Sequence, residues 1–461
     1  MRRILFCGLF GILLLNLIYA QDTKFLVLSL KDCEKLAFEK NQSIQNAKFK
    51  LKASKAKWSQ ASHAKYLPKF QLKNVWGPIP RARGIIDPKT GFVTSPDTST
   101  RIPQDLRFFT QLDIDLVQPI FTFGKFSNLN EAAYQGVLAD QANVQKTEEN
   151  IRLKVRRLYW GLVLGKELLN VVEDADTELQ KAETKVEEKL EEGSEDVTQI
   201  DLFKLQLFRY EINKRKREAK DNIQLTKAAM RITLGLTEDV DFDVATEYLD
   251  PIPIQIDSLP FYIELAKKYR PELEQLRAGI SARRALVSAT RSDYYPQFFL
   301  GGQIKFNYAK DRFDPKNPFL YNPTNYFRPG IVIGLNWNLN FVQTRDKIRV
   351  AQAEYLALSN REMELLKGIE LEVQKAYLEL KRAMKNMQDS RKALKASENW
   401  LRSATMTFDI GVGEVKDLID AFRANGTMQT EHLRNIFEYN VAVAKLSQAI
   451  GKDLYPEIKQ E

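Results

Sequence analysis

LAFEKNQSIQNAKFKLKASKAKWSQASHAKYLPKFQLK at residues 36–73 is written a second time, as LAKKYRPELEQLRAGISARRALVSATRSDYYPQFFLGG at residues 265–302. Leu36-Ala37 and Leu265-Ala266 lie 229 residues apart, and Pro68 and Pro296 lie 228 apart. Further on, DIDLVQPIF from Asp113 is answered by VIGLNWNLN from Val332 at an offset of 219. A drift of about ten residues fits changed loop lengths between two copies of one unit. The period is far longer than that of a solenoid repeat, which runs to about 20–50 residues. The chain is therefore a duplicated half, with residues 21–255 as the first repeat and 256–455 as the second.

Each quoted stretch opens with a helical pattern, over about 31–65 and about 260–292, and crosses a proline into alternation. Proline marks the rest of the architecture. The 17 prolines fall from Pro68 to Pro119, from Pro251 to Pro329, and at Pro456. The two intervening stretches have none, and proline breaks helix interiors. They are rich in Ala, Leu, Glu, Lys, Gln and Arg, the strongest helix formers. Apolar residues at Val144, Ile151, Val155, Leu158, Leu162, Leu169 and Val172 recur at spacings that give one helical stripe. The first repeat thus predicts helices over about 126–192 and 197–234, broken at Gly193-Ser194. The second predicts helices over about 345–410 and 415–450, broken at Gly411 and Gly413. At ~1.5 Å rise per residue, the long member of each pair is a rod of about 100 Å.

Four segments alternate with period two: about 69–76, 106–117, 297–308 and 328–340. Phe70, Leu72 and Trp76 face away from Lys69, Gln71 and Lys73. Leu106, Phe108, Leu112, Ile114 and Leu116 oppose Arg107, Gln111, Asp113 and Asp115. Phe298, Leu300, Ile304, Phe306 and Tyr308 oppose Gln297, Gln303, Lys305 and Asn307. Ile331, Ile333, Leu335, Trp337 and Leu339 oppose Asn336, Asn338 and Asn340. One such strand fits a half-buried soluble sheet equally well. Four of them, flanked by rods in an exported chain, read as strands of a membrane barrel, apolar to lipid and polar to the lumen. Trp76, Phe108, Tyr308, Tyr326, Phe327 and Trp337 suit interfacial belts. Loops over about 77–105 and 309–326 join the paired strands on one side. A membrane sheet has to close, and the smallest barrels have about eight strands. Four strands predict oligomerisation, and three copies give twelve.

MRRILFCGLFGILLLNLIYA at residues 1–20 reads as a secretory signal peptide, and residues 456–461 as a tail. Cys7 leaves with that peptide, so Cys33 has no disulfide partner and reads as a small buried residue. The net charge of +9 is spread along the chain and reads as solvated helix surface, with no nucleic-acid partner. Two histidines, one remaining cysteine and no phosphate-cradling loop leave no catalytic, metal or cofactor site. The GVG at Gly411 lacks a preceding strand and a following Lys-Ser/Thr, so it reads as a turn.

These features together resemble the TolC-type outer-membrane efflux proteins over essentially the whole mature chain. The residues carrying the resemblance are LSLKDCEKLAFEKNQSIQNAK, AKYLPKF, DYYPQFF, LVQPIFTFGK, GSEDVTQIDLFKLQL and FDIGVGEVKDLIDAF, in that family's order and spacing. The resemblance implies an α+β channel-tunnel. In it, a homotrimer builds a twelve-stranded barrel in the outer membrane and a periplasmic barrel of antiparallel helices. It implies a passive exit duct that partners a periplasmic adaptor and an inner-membrane pump, without cofactor or catalysis. It also implies that the hairpin tips, about 188–201 and 405–417, close the tunnel. Asp417, Gly411, Gly413, Arg402, Gly193 and Asp201 are the tip candidates. Asp417 follows Gly411 by six residues, as in that family, whereas Asp201 follows Gly193 by eight. Such a carboxylate either caps the returning helix or pairs with a base such as Arg402. Asp113, Asp115, Lys305 and Asn336 are candidates for the lumen wall. A non-conducting structural or adhesive surface protein is the competing reading. An adaptor would need lipoyl-like segments that the sequence does not contain.

Overall fold

A computed structural model describes residues 24–80, 85–86, 89–90, 92–95, 106–193, 197–312, 314, 317, 319 and 321–455. The expected signal peptide, the C-terminal tail, much of the loop after residue 80 and residues 194–196 at the first tip lie outside them.

The first repeat runs β1 (Lys24–Leu28), α1 (Leu30–Lys40), α2 (Gln42–Tyr66) and β2 (Lys69–Pro80). A small hairpin of β3 (Ile85–Ile86) and β4 (Val93–Ser95) precedes β5 (Leu106–Phe121). Next come α3 (Lys125–Glu191), α4 (Gln199–Leu234) and β6 (Val240–Val244). The second repeat runs α5 (Leu259–Tyr269), α6 (Pro271–Arg291), β7 (Gln297–Ala309), β8 (Tyr326–Asn336), α7 (Phe341–Asp409) and α8 (Val415–Ile450). A 3-10 turn over Ser292–Tyr294 ends α6. Helices α3 and α7 have 67 and 69 residues, each therefore about 100 Å long. The main sheet is antiparallel throughout, in the order β2-β5-β7-β8.

Two expectations need correction, and one feature was missed. First, the opening helix of each repeat is two helices. Asn41 is extended (φ −61°, ψ 128°); its Oδ1 accepts the Ser43 N–H at 2.9 Å to cap α2, and its Nδ2 donates to the Thr233 carbonyl at 2.9 Å. In the second repeat Pro271 forces the break. The residue before a proline is driven out of the α region, and proline itself fits the first helical position; Arg270 is accordingly extended (φ −68°, ψ 122°). Second, the strand expected over 328–340 ends at Asn336, and the following helix starts at Phe341. Trp337 turns its indole N–H to the Tyr294 carbonyl at 3.0 Å. The missed feature is the parallel pair of β1 and β6, Lys24↔Val240 through Leu28↔Val244. The five residues of each were too short to stand out beside the long elements.

The returning helices close on the breaks. Gly235 and Gly451 end α4 and α8 with φ of +68° and +69°. A Cβ at Gly235 would lie 2.9 Å from the Lys40 carbonyl oxygen, and one at Gly451 2.6 Å from that of Tyr269. Glycine is required there by both conformation and space.

The core is strung along the rods in three clusters rather than gathered in one. One joins Cys33, Tyr159, Leu162 and Phe242, another Tyr262, Val373 and Leu446, and the third Leu179, Leu205 and Leu418 near the tips. Burial, with Asp32 and Glu34 beside it, pushes the Cys33 thiol up to about 12. Beside the first cluster, Arg156 is 3% exposed. It donates to Glu34 at 2.7 Å, grips Asp453 with two bonds at 2.8 and 2.6 Å, and lies 3.7 Å over the Tyr455 ring. Burial alone would push the Asp453 carboxyl up, but Arg156 outweighs it and holds that group below the usual carboxylate range.

Candidate pore wall and hairpin tips

Strand register sorts the sheet into two faces. One carries the cross-strand rows Phe70–Leu116–Gly302–Ile331, Leu72–Ile114–Ile304–Pro329 and Asn74–Leu112–Phe306–Phe327. Ile331 and Ile333 are 82% and 76% exposed, so this apolar face is uncovered in the single chain. The other face carries Gln71–Asp115–Gln303–Gly330 and Lys73–Asp113–Lys305–Arg328. Asn336, opposite Gln297, shares the parity of Arg328 and stands on this second face. Asp113, Asp115, Lys305 and Asn336 thus lie on one polar side of the sheet.

Hydrogen bonds hold part of this wall in place. Gln303 Nε2 donates to Asp115 Oδ1 at 2.8 Å, and Gln111 Nε2 to Asp113 Oδ2 at 2.7 Å. Asp113 Oδ1 accepts no hydrogen bond among the described residues, and it sits between lysines 73 and 305 in the row. Arg328 lies 4.1 Å over Tyr326 and 4.7 Å over Tyr321 and donates to the Asn322 carbonyl at 3.1 Å. Sequence reasoning passed over Arg328, because the prolines around it hid its parity. Counting back in twos from Asn336 through Val332 would have found it.

At the tips, Gly193 and Gly411 are both left-handed, with φ of +71° and +80°. Gly411 N–H bonds to the Phe408 carbonyl at 3.1 Å and Val412 N–H to that of Thr407 at 3.1 Å, a Schellman closure of α7. Gly193 N–H bonds to the Leu190 carbonyl at 3.2 Å in the same way. Gly413 is needed for space: a Cβ there would lie 2.8 Å from the Phe408 nitrogen.

The two tip aspartates are treated differently. Asp201 accepts from the Thr198 backbone at 3.1 Å, the Thr198 hydroxyl at 2.7 Å and Lys204 at 2.9 Å. Partial burial pushes its carboxyl up, but Lys204 and Thr198 outweigh that and hold it low. Asp201 is therefore a helix cap, of the kind its position three residues after Thr198 permits. Asp417 occupies the corresponding first turn of α8 and, like Arg402, is exposed. The pairing considered between them does not form within one chain: neither makes an ion pair among the described residues. The two hairpins are instead joined by a bond that the sequence reading missed, Lys185 Nζ to Asp409 Oδ1 at 2.6 Å, with Lys189 5.6 Å over the Phe408 ring. A cross-repeat pair of this kind has no local sequence signal.

Comparison with known proteins agrees with this geometry. Residues 262–452 match the outer membrane efflux protein family. No curated protein matches the sequence. The fold is similar to that of the Neisseria gonorrhoeae MtrE outer membrane channel in its open state, at 14% identity and a TM-score of 0.72, covering 94% of this chain and 91% of that one. It is similar to the Campylobacter jejuni CmeC outer membrane channel, at 16% identity and 0.70, covering 93% and 86%. It is also similar to the Vibrio cholerae outer membrane protein VceC, at 15% identity and 0.69, covering 92% and 96%. The resemblance read from the sequence is thus supported at two levels: the second repeat matches that family's model, and the chain as a whole shares the fold of these outer membrane channels. The matched family is one of the outer membrane. Among the described residues no helix is long and apolar enough to cross a membrane.

Proposed function

We propose that three copies of this chain close a twelve-stranded barrel and form a passive exit duct, which carries cargo from a periplasmic adaptor and an inner-membrane pump to the outside. The observation that carries this reading is the sheet itself. It has one apolar and one polar face, and its edge strands β2 and β8 have no partner within the chain among the described residues. In a bilayer those edges must be paired, because no water is there to satisfy them. Joining β2 of one copy to β8 of the next supplies the missing bonds and encloses the polar face. The rods support the same assembly. Along α7 an uncovered line of Val350, Leu356, Met363, Leu371 and Leu378 repeats every six to eight residues, the spacing with which one long helix packs on another.

The tips act as the gate in this reading. Asp417 and Arg402, exposed and without an ion pair among the described residues, meet their counterparts around the three-fold axis. Tripartite drug or metal efflux and type I secretion both use such a duct, and the pump selects the cargo. Purified protein in a planar bilayer is expected to show a small, mostly closed pore, and Asp417→Ala to raise its open conductance several-fold. Well-inserted trimers that never conduct, in either form, would refute the duct and favour the structural or adhesive role.

A further inference from the structure

Arginines at and along α6 face glutamates of α7: Arg270 pairs with Glu372, Arg277 with Glu362 at 2.9 Å, and Arg283 with Glu354. Nearest the sheet the pattern fails. Arg291 has no carboxylate partner among the described residues, and Arg345 and Arg349 stand across the seam from it. The three arginines line one cavity of about 340 Å³ together with Tyr294, Tyr295 and Ile348. Asp346 bonds both Arg345, at 3.3 Å, and Arg349, at 3.5 Å, leaving an excess of positive charge in the groove. The side chains of Arg345 and Arg349 are 51% and 67% exposed.

The groove opens toward the lipid side of the wall. Phe121 pairs with Phe298 on the apolar face, and Phe121, Phe123 and Tyr295 contact in series, with centroids 4.7 Å apart at each step. Tyr294 stacks on Phe341, which meets Trp337 edge-on at 6.0 Å. These rings form a girdle where the sheet ends. Phe341, Arg345, Ile348 and Arg349 then follow at helical spacing on one stripe of α7. Arg345 therefore lies about one turn, ~6 Å, and Arg349 about two turns, ~12 Å, beyond Phe341. Aromatic belts sit at headgroup level, so this is the depth of the phosphates of the periplasmic leaflet.

The duplication provides an internal contrast. At the same places in the first repeat stand His63, by alignment of Pro68 with Pro296, and Leu129 and Ala133, counting from the starts of α3 and α7. The basic groove belongs to the second repeat alone, so it is not a requirement of the strand–helix joint.

We propose that this groove binds the phosphate of an anionic phospholipid headgroup in the periplasmic leaflet of the outer membrane. Guanidinium groups suit that task because they meet phosphate oxygens with two parallel bonds. The inference rests on the outer-membrane reading of the sheet.

The test is native mass spectrometry of the full-length protein in detergent, titrated with phosphatidylglycerol or phosphatidylethanolamine. Each basic side chain near an anionic lipid surface contributes about fivefold in binding. The wild type is expected to retain phosphatidylglycerol over phosphatidylethanolamine by about tenfold or more. Arg291→Gln, Arg345→Gln and Arg349→Gln together are expected to abolish that preference. Arg277→Gln with Arg283→Gln, removing paired arginines lower on the same seam, is expected to keep it. The proposal fails if the triple variant keeps the preference, or if the paired-arginine variant loses it equally. It also fails if inorganic phosphate at the lipid's concentration displaces the lipid, since the site then takes free phosphate. The same spectra report subunit number, and a monomer throughout would count against the trimeric reading independently of the lipid result.

Discussion

Arg156 shows what a single buried charge does in a rod. It is held by one acid from the first repeat, Glu34, and one from beyond the last helix, Asp453. Removing one member of a buried ion cluster strands the others, at about 3–5 kcal/mol. Arg156→Ala is therefore expected to lower the thermal midpoint markedly, as circular dichroism melts would report. The acid side carries a pH dependence. Asp453 has a folded pKa below its unfolded one, so its contribution is full above the ordinary carboxylate value of about 4 and is lost as pH falls through the folded value. Melts taken from neutral pH to below about pH 4 should show this acid loss in the wild type and a shallower one in Asp453→Asn. Equal slopes would assign the acid sensitivity to other carboxylates. None of this was legible beforehand, because Glu34, Arg156 and Asp453 are far apart in sequence and each looks like a solvated helix charge.

At the scale of elements, legibility followed the range of the forces involved. The prolines, the period-two runs and the glycines at 193 and 411 act locally, and the strands and hairpin tips stand close to where those signals put them. The breaks inside the opening helices were missed for two different reasons. Pro271 was in view but lay within an otherwise unbroken helical pattern. Asn41 carries only a weak signal, since its break depends on the Thr233 carbonyl, reached across to α4. Asn41→Ala removes both the cap on α2 and that tie. It is expected to cost about 1–2 kcal/mol of stability, measured as a lower denaturation midpoint with trimer assembly retained. Among the candidate residues, parity alone sufficed to put Asp113, Asp115, Lys305 and Asn336 on one face. The role of Asp201 as a cap and the isolation of Asp417 needed coordinates.

For the whole molecule, the row Lys73–Asp113–Lys305–Arg328 becomes a ring once three copies close. Each copy brings three cations and one anion to it. A charged ring in a narrow wall concentrates ions of opposite sign, so in the proposed trimer this level of the barrel is expected to favour anions. In bilayers under a salt gradient, with the tips opened by Asp417→Ala, replacing Lys73, Lys305 and Arg328 by glutamine should move the reversal potential toward cation preference. An unchanged potential would mean that another ring along the duct sets selectivity.

The parallel pairing of β1 with β6 has a further consequence, in time. The chain is made from its N-terminus, and Lys24–Leu28 is among the first described segments to appear. Its partner, Val240–Val244, arrives more than two hundred residues later. Contacts so distant in sequence form slowly, because loop closure must precede any gain from them. The hairpin of β2 and β5 waits longer still for the rest of its sheet, because β7 and β8 follow only at residues 297–336. A chain truncated before residue 240 leaves both β1 and that hairpin unpartnered, and it is expected to aggregate more readily than the full chain, as light scattering would report.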